Sequence, residues 1–408
     1  TVISSFLNPA NEGIHVDWAF CTIPAYDAYQ VEYNVYVVAQ DLKKQIDSAK
    51  EKGLDVAAQE AVYLDEASSI EALEEAIAAT KAIIAKYEEL NVDPSNPIDK
   101  TSLLANPDYT DGKTGWSDSN SDWAVSYNVA EHYDDTFNHY QDVKGAPAGV
   151  YALTLRGYCR PSSSGTAWDY YNNGQGHSLY LYASNATDTS KVMMPNIWAG
   201  KSSEELGVGS ISTATDGNGQ TWYVTNNMQG AEAYFNHEEF GPKYDAVLFF
   251  GLQGDSMRVG IRMDSKVGAD WALWDNWRLT YYGGKAEAYQ MWLDNLKANA
   301  PTFPEDAVAT AGMIDDYNSL VEGLTGSTYD EIAAAMATLD DAAAAISKNI
   351  ELWQNYTDSV AMGLEIIAKG YAGDPVDMLG DYVEFEAEDI MGEMALTSEE
   401  LVAEMAKL

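Results

Sequence analysis

Five histidines are the first residues to weigh for chemistry: His15, His132, His139, His177 and His237. No two stand four apart, so the helical H-E-x-x-H arrangement, which sets two imidazoles and a glutamate on one face, is absent. In "FNHEEF" His237 adjoins Glu238 and Glu239, a trio that reads as a solvated charge cluster on a loop rather than a metal or acid–base site. No G-x-S-x-G elbow occurs. "GVGSIS", from Gly207, holds two of the three glycines of a dinucleotide fingerprint without its strand–turn–helix context. The 64 carboxylates single out no facing pair of the kind that cleaves glycosides. The expectation is therefore a chain that is not an enzyme.

Oxygen ligands come next. "DSNSDW" sets Asp118, Asn120 and Asp122 at the alternate spacing that lets oxygens converge on a hard cation, but lacks the glycine and distal glutamate of a calcium loop. "TDGNGQ", with Asp216 and Asn218, is a similar fragment, and both suit Asx-rich turns. Aromatic rings are the remaining chemistry. A pyranose offers a C–H face that stacks on indole or phenol and a hydroxyl rim read by polar groups. Trp168, Tyr170 and Tyr171 lie in "PSSSGTAWDYYNNGQGH", among residues too polar to make a core. Trp198 lies in "PNIWAGK", and Trp123 follows the acidic turn. In "WALWDNWRLTYYGG" strict alternation puts Asp275, Trp277, Leu279 and Tyr281 on one face and Trp274, Asn276, Arg278 and Thr280 on the other. Trp271 and Trp274 then stand at the strand's entry. The expected ligand-binding set is Trp123, Trp168, Tyr170, Tyr171 and Trp198, on loops around 116–127, 162–176 and 196–201, together with Trp274 at the strand's entry. The competing expectation is that such rings fold back and plug the domain.

The elements that must position these residues follow from texture. From about residue 25 to 90 the pattern is helical, with a capping box expected at Ser68 and Glu71. "NVDPSNPIDK" breaks it. From 102 to 284 short aromatic and β-branched runs alternate with turn formers, the texture of an antiparallel sandwich or barrel. Helices return after Lys285, with capping boxes at Thr328/Glu331 and Thr397/Glu400, and these segments echo the earlier ones. The expected organisation is multidomain α and β: an N-terminal extension (1–25), a helical bundle (26–99), a central antiparallel β-sandwich of jelly-roll type (100–284), a second helical bundle (285–350) and the start of a further helical unit (351–408).

Composition limits the partners. Acidic residues number 64 against 23 basic ones, a formal net charge of −41 over 408 residues, which disfavours nucleic acid and anionic membrane surfaces. No run approaches the roughly 18 apolar residues of a membrane span, so no membrane insertion is expected. Cys21 and Cys159 lie far apart, in different expected domains, and no disulfide between them is expected. The charge suits work outside the cytoplasm, or resistance to self-association; if the chain is exported, its targeting segment has already been removed.

Three segments carry a resemblance. "LLANPDYTDGKTGW", "NVAEHYDDTFNHYQDVKGAPAGVYALTLRGYCR" and "ADWALWDNWRLTYYGG" stand in the order of, and are similar to, the signature stretches of jelly-roll, galactose-binding-like carbohydrate-binding modules. The resemblance implies an exported or cell-surface protein of the kind made by carbohydrate-degrading gut anaerobes, with small helical bundles beside the module. It also implies a structural calcium between a glutamate of the first stretch and an aspartate of the last. Here Asp275 is that aspartate, while Thr110 takes the glutamate's place with Asp111 beside it. The expected function is non-catalytic glycan binding by ring stacking. The alternative is a structural or adhesive surface protein that works through protein partners.

Overall fold

The computed structural model describes residues 23–408, apart from 164, 175, 209, 210, 305, 306 and 372. His15, Cys21 and nearly all of the expected extension lie outside the described residues. Two compact units result, one ending at Val92 and the other beginning at Asp93.

Among its described residues the first unit holds three helices: α1 (Ile23–Glu51), α2 (Ala57–Leu64) and α3 (Ile70–Asn91). Leu42, Ile46 and Ala49 recur at helical spacing on α1 and meet Leu73, Ala76 and Ile77 of α3, which is one apolar stripe laid on another. The cap of α3 sits one residue later than the sequence suggests. Ser69 accepts from the Ala72 N–H, while the Ser68 hydroxyl turns back to the Val62 carbonyl.

The second unit is built on two antiparallel sheets. The strands are β1 (Ile98–Asp99), β2 (Ser117–Asp118), β3 (Ala124–Ser126), β4 (Val129–Tyr133), β5 (Phe137–Lys144), β6 (Gly149–Arg160), β7 (Leu179–Ser184), β8 (Thr189–Met193), β9 (Ile211–Thr215), β10 (Thr221–Thr225), β11 (Asp245–Leu252), β12 (Ser256–Met263) and β13 (Trp271–Gly283). One sheet runs β11-β6-β13-β4-β3, with β1 also on β13; the other runs β2-β5-β12-β7-β8. They face each other. The Trp274 ring of β13 stacks on Phe137 of β5 at 5.5 Å, and His132 of β4 stacks on the same ring at 4.0 Å.

The first sheet is covered on its outer face too. Its covering layer comprises α4 (Thr166–Asn172), the β9–β10 hairpin, α5 (Met228–Phe235) and 3-10 turns at Ile197–Gly200 and Gly241–Tyr244. Trp198, Tyr234, Phe235, Phe240 and Tyr244 of this layer pack on Tyr158, Trp271 and Leu273 of the sheet. Helices α6 (Ala286–Ala298), α7 (Met313–Gly323) and α8 (Tyr329–Ala368) cover the rest through Trp292, Tyr329 and Val150. Covered on both faces, β13 has no polar side over its first five residues, which are all buried. That is why its sequence is dense in tryptophan: both faces must be filled.

Strict alternation fails inside β13. Asn276 takes φ +59°, and the pairing with β6 slips between Asp275 and Arg278. A bulge of this kind resets the period of two. Trp274 and Trp277, three apart, therefore point the same way, and both indole N–H groups reach the Tyr109 hydroxyl, at 2.6 and 3.0 Å.

The remaining helices are α9 (Asp374–Asp381), α10 (Ala387–Glu393) and α11 (Ser398–Met405), with a π-turn at Tyr382–Glu386 between α9 and α10. They close over Leu352, Trp353 and Tyr356 of α8. The 40-residue α8 passes unbroken through residue 350, where a boundary between helical units was expected. Thr397 and Glu400 make the full reciprocal capping box on α11. On α8 Thr328 caps, but Glu331 reaches back to Ser327 instead. Among the described residues no helix is long and apolar enough to cross a membrane.

Candidate functional site

Of the six aromatic residues expected to meet ligand, three are interior. Trp274 is 0% exposed and belongs to the sandwich core. Trp198 is also 0% exposed; it sits under Trp168 in an edge-to-face contact of 4.7 Å and fills the space between the outer layer and the sheet. Trp123, 7% exposed, closes the open end of the sandwich against the His139 ring at 4.5 Å, with the Lys113 ammonium 4.7 Å above it. The physical reason is common to all three. Each ring covers sheet surface that would otherwise be wet, Trp274 from within β13 and the other two from the segments that cross the sheets, and burying a large ring there contributes about 2–3 kcal/mol. The expectation that these three are displayed is corrected accordingly.

Trp168, Tyr170 and Tyr171 keep open surface. All lie on α4, with Trp168 and Tyr170 half-buried and Tyr171 36% exposed. The structure adds two residues that the sequence reading missed. Lys201 leaves the Ile197–Gly200 turn and places its ammonium 4.9 Å from the Trp168 ring, 5.5 Å from Tyr171 and 4.9 Å from Trp222 of β10. A cation among three ring faces is held by their quadrupoles. Trp222 is fixed by its indole N–H, which donates to Asp216 Oδ2 at 2.9 Å. The other Asp216 oxygen accepts from the Asn218 and Gln220 N–H groups. "TDGNGQ" is thus the turn of the β9–β10 hairpin, and Trp222, those backbone donors and Lys201 hold its carboxyl below the ordinary range. Gly217 in that turn lies so close to Trp168 that a Cβ would come within 2.9 Å of the indole nitrogen, which locks hairpin to helix. A ledge results: three rings from α4 and β10 around one lysine, with the Asp216 carboxylate at its rim.

The sandwich interior uses similar residues to opposite effect. Asp118 belongs to an Asx turn through Oδ1, which accepts from Asn120 N–H, and Asn120 repeats the motif with Asp122. Asp118 Oδ2 points inward, taking His139 Nδ1 at 2.9 Å and His132 Nε2 at 3.0 Å. His139 Nε2 lies 2.9 Å from the Tyr109 hydroxyl. Because that oxygen already accepts from two indoles, it donates its own proton to Nε2, and His139 is the Nδ1–H tautomer. Burial holds the His139 imidazole below its ordinary pKa and the Tyr109 phenol well above its own. Burial also opposes the Asp118 carboxylate, yet the two histidine hydrogen bonds outweigh it and hold that group low. An Asp–His pair is present, then, but enclosed where no substrate can reach it. His237 is a turn-former as well, accepting from Glu239 and Phe240 N–H groups at Nδ1.

The expected metal pair divides. Asp275 is buried, its Oδ1 has no hydrogen-bond partner, and desolvation, with the charge of Asp108 adding, pushes its carboxyl up to about 8. An orphaned buried oxygen of this kind fits one ligand of a cation. Asp111 does not complete the set. It is exposed on the turn after Tyr109, and the acid acting on Asp275 is Asp108, itself paired with Arg278 at 2.6 Å. Among the described residues no three His, Cys, Asp or Glu side chains gather as a metal cluster. Cys159 is a free, buried thiol.

No protein-family model and no curated protein matches the chain. Among solved structures it is similar to the carbohydrate-binding module TmCBM61, in complex with β-1,4-galactotriose. The identity is 14% and the TM-score 0.26, over 44% of this chain and 97% of that one. It is also similar to a protein from Bacteroides thetaiotaomicron VPI-5482 assigned to sugar binding, at 8% identity and TM-score 0.19, over 41% of this chain and 87% of that one. Likenesses of this size leave function to be read from the chain's own side chains.

Proposed function

We propose that this protein binds a glycan, without transforming it, on the ledge of Trp168, Tyr171 and Trp222 around Lys201, with Tyr170 at its edge. The observation that supports this most is the convergence of three rings from two separate segments on one ammonium at the surface. Partly open rings accept the C–H face of a sugar, while Lys201, with three N–H donors, and Asp216 read hydroxyls. The reading includes an extracellular or cell-surface setting, which the charge of −41 suits. It also includes one structural calcium at Asp275, whose unsatisfied oxygen supports it. A glycan array followed by calorimetry on the best ligand tests the function. The Trp168→Ala/Tyr171→Ala double variant should lose about ten-fold or more in affinity; wild-type affinity in that variant contradicts it.

A second reading, attachment through protein partners, has its own support on α1, where Val31, Tyr33, Tyr36 and Val37 are exposed. Under that reading the ledge variant changes nothing, and changing Tyr33 and Tyr36 to serine disrupts surface assembly.

A further inference from the structure

Five arginines stand in this chain, and four of them are neutralised by an aspartate: Arg156 by Asp245, Arg258 by Asp142, Arg262 by Asp264 and Arg278 by Asp108. Arg160 is different. At the end of β6 its guanidinium lies 5.1 Å from the centre of the Trp271 ring, and its contacts are to neutral oxygens. Nε donates to the Ser162 carbonyl at 3.1 Å, Nη1 to Asn226 Oδ1 at 2.8 Å and Nη2 to the Ala269 carbonyl at 3.4 Å. A guanidinium carries five N–H donors in one plane, so two remain after these three. In so acidic a chain, an arginine held rigid without a carboxylate is kept for something else.

Around it is a depression of about 310 Å³, lined also by Glu131, Tyr133, Asn226 and Met228, with Trp271 as part of its wall. Trp271 donates its indole N–H to Glu131 Oε2 at 2.7 Å, which fixes that carboxylate and leaves its second oxygen as an acceptor. Tyr133, at the end of β4, is 56% exposed and offers an open ring. Donors on Arg160, an acceptor on Glu131 and a free phenol ring match a sugar edge with two neighbouring hydroxyls, each of which both accepts and donates. The Glu131 carboxylate, which shares the recess without being ion-paired to the guanidinium, disfavours an anionic ligand. We infer that this recess is a second carbohydrate subsite, separate from the ledge, which takes a neutral pyranose by its vicinal diol, with Arg160 and Glu131 as the hydrogen-bonding pair and Tyr133 as the stacking ring. It shares only the ligand class with the ledge and none of its residues.

The test is ligand-observed NMR and calorimetry on the full chain with a panel of neutral methyl pyranosides and a methyl glucuronide. Tyr133→Ala removes an exposed ring and should leave the melting temperature unchanged; Arg160→Lys and Glu131→Gln remove the fork and the charge while nearly keeping the volume. Each should weaken a neutral pyranoside about ten-fold, while the Trp168→Ala/Tyr171→Ala variant retains this binding. Wild-type affinity in all three recess variants overturns the subsite, as does tighter binding of the glucuronide than of its neutral counterpart. If the ledge reading alone is wrong, the ledge variant keeps every affinity while the recess variants still lose theirs.

Discussion

Two aromatic clusters in this molecule are made from the same residue types and differ in what covers them. Inside the sandwich, Trp274, Trp277 and Tyr109 saturate one another: two indoles donate to one phenol, whose O–H donates to His139 Nε2, and His139 Nδ1–H in turn donates to Asp118. On the outer layer, Trp168, Tyr171 and Trp222 surround Lys201 and remain partly open. The first arrangement is closed off from solvent, and the second keeps open surface. Ring content therefore says little about binding; whether a second layer of chain lies over the rings decides it.

The largest effect should come from the closed cluster. Trp274→Ala opens a cavity between the sheets and strands a hydrogen-bond acceptor, at a cost of about 3–5 kcal/mol, read as a shifted midpoint in chemical denaturation. Tyr109→Phe keeps the volume but orphans two indoles and one imidazole, and should cost about 2–3 kcal/mol. If either variant unfolds like wild type, the saturated network is not what holds the sheets together.

The same cluster should respond to pH. Burial keeps the His139 pKa below 6.5, whereas in the unfolded chain it titrates near that value. The unfolded state then takes up a proton first as pH falls, so stability present above pH 6.5 declines below it. The slope between pH 7.5 and 5.5 should be shallower in His139→Gln than in wild type; equal slopes contradict the assignment. The calcium reading predicts a smaller effect, a rise in melting temperature on adding calcium that Asp275→Asn abolishes. No rise removes the ion from the account. The smallest stability change belongs to the open cluster: Trp168→Ala/Tyr171→Ala should move the denaturation midpoint far less than Trp274→Ala does, because these rings are already partly wet.

Much of the fold could be read from the residues. Helix starts followed Thr328 and Thr397, and the strands followed their aromatic, β-branched runs. The failures are non-local. Nothing in "WALWDNW" announces that Asn276 adopts a positive φ and turns Trp274 inward, because the cause is the pairing with β6, more than 100 residues away in sequence. Trp198 and Trp123 look like displayed rings in polar loops, yet both cover sheet surface supplied by distant strands. Lys201 and Trp222 were missed for the converse reason. Each is ordinary in its own segment, and only the packing of the β9–β10 hairpin on α4 brings them together. A tryptophan just after "DGNG", on a hairpin with few apolar partners, was the one local signal.

The most direct test is calorimetric titration of the best array glycan into wild type and the Trp168→Ala/Tyr171→Ala variant, with both shown to be folded by their melts. The account predicts saturable binding to wild type and a loss of about ten-fold or more in the variant. Equal affinity for the two, or no glycan bound by folded wild type, contradicts it.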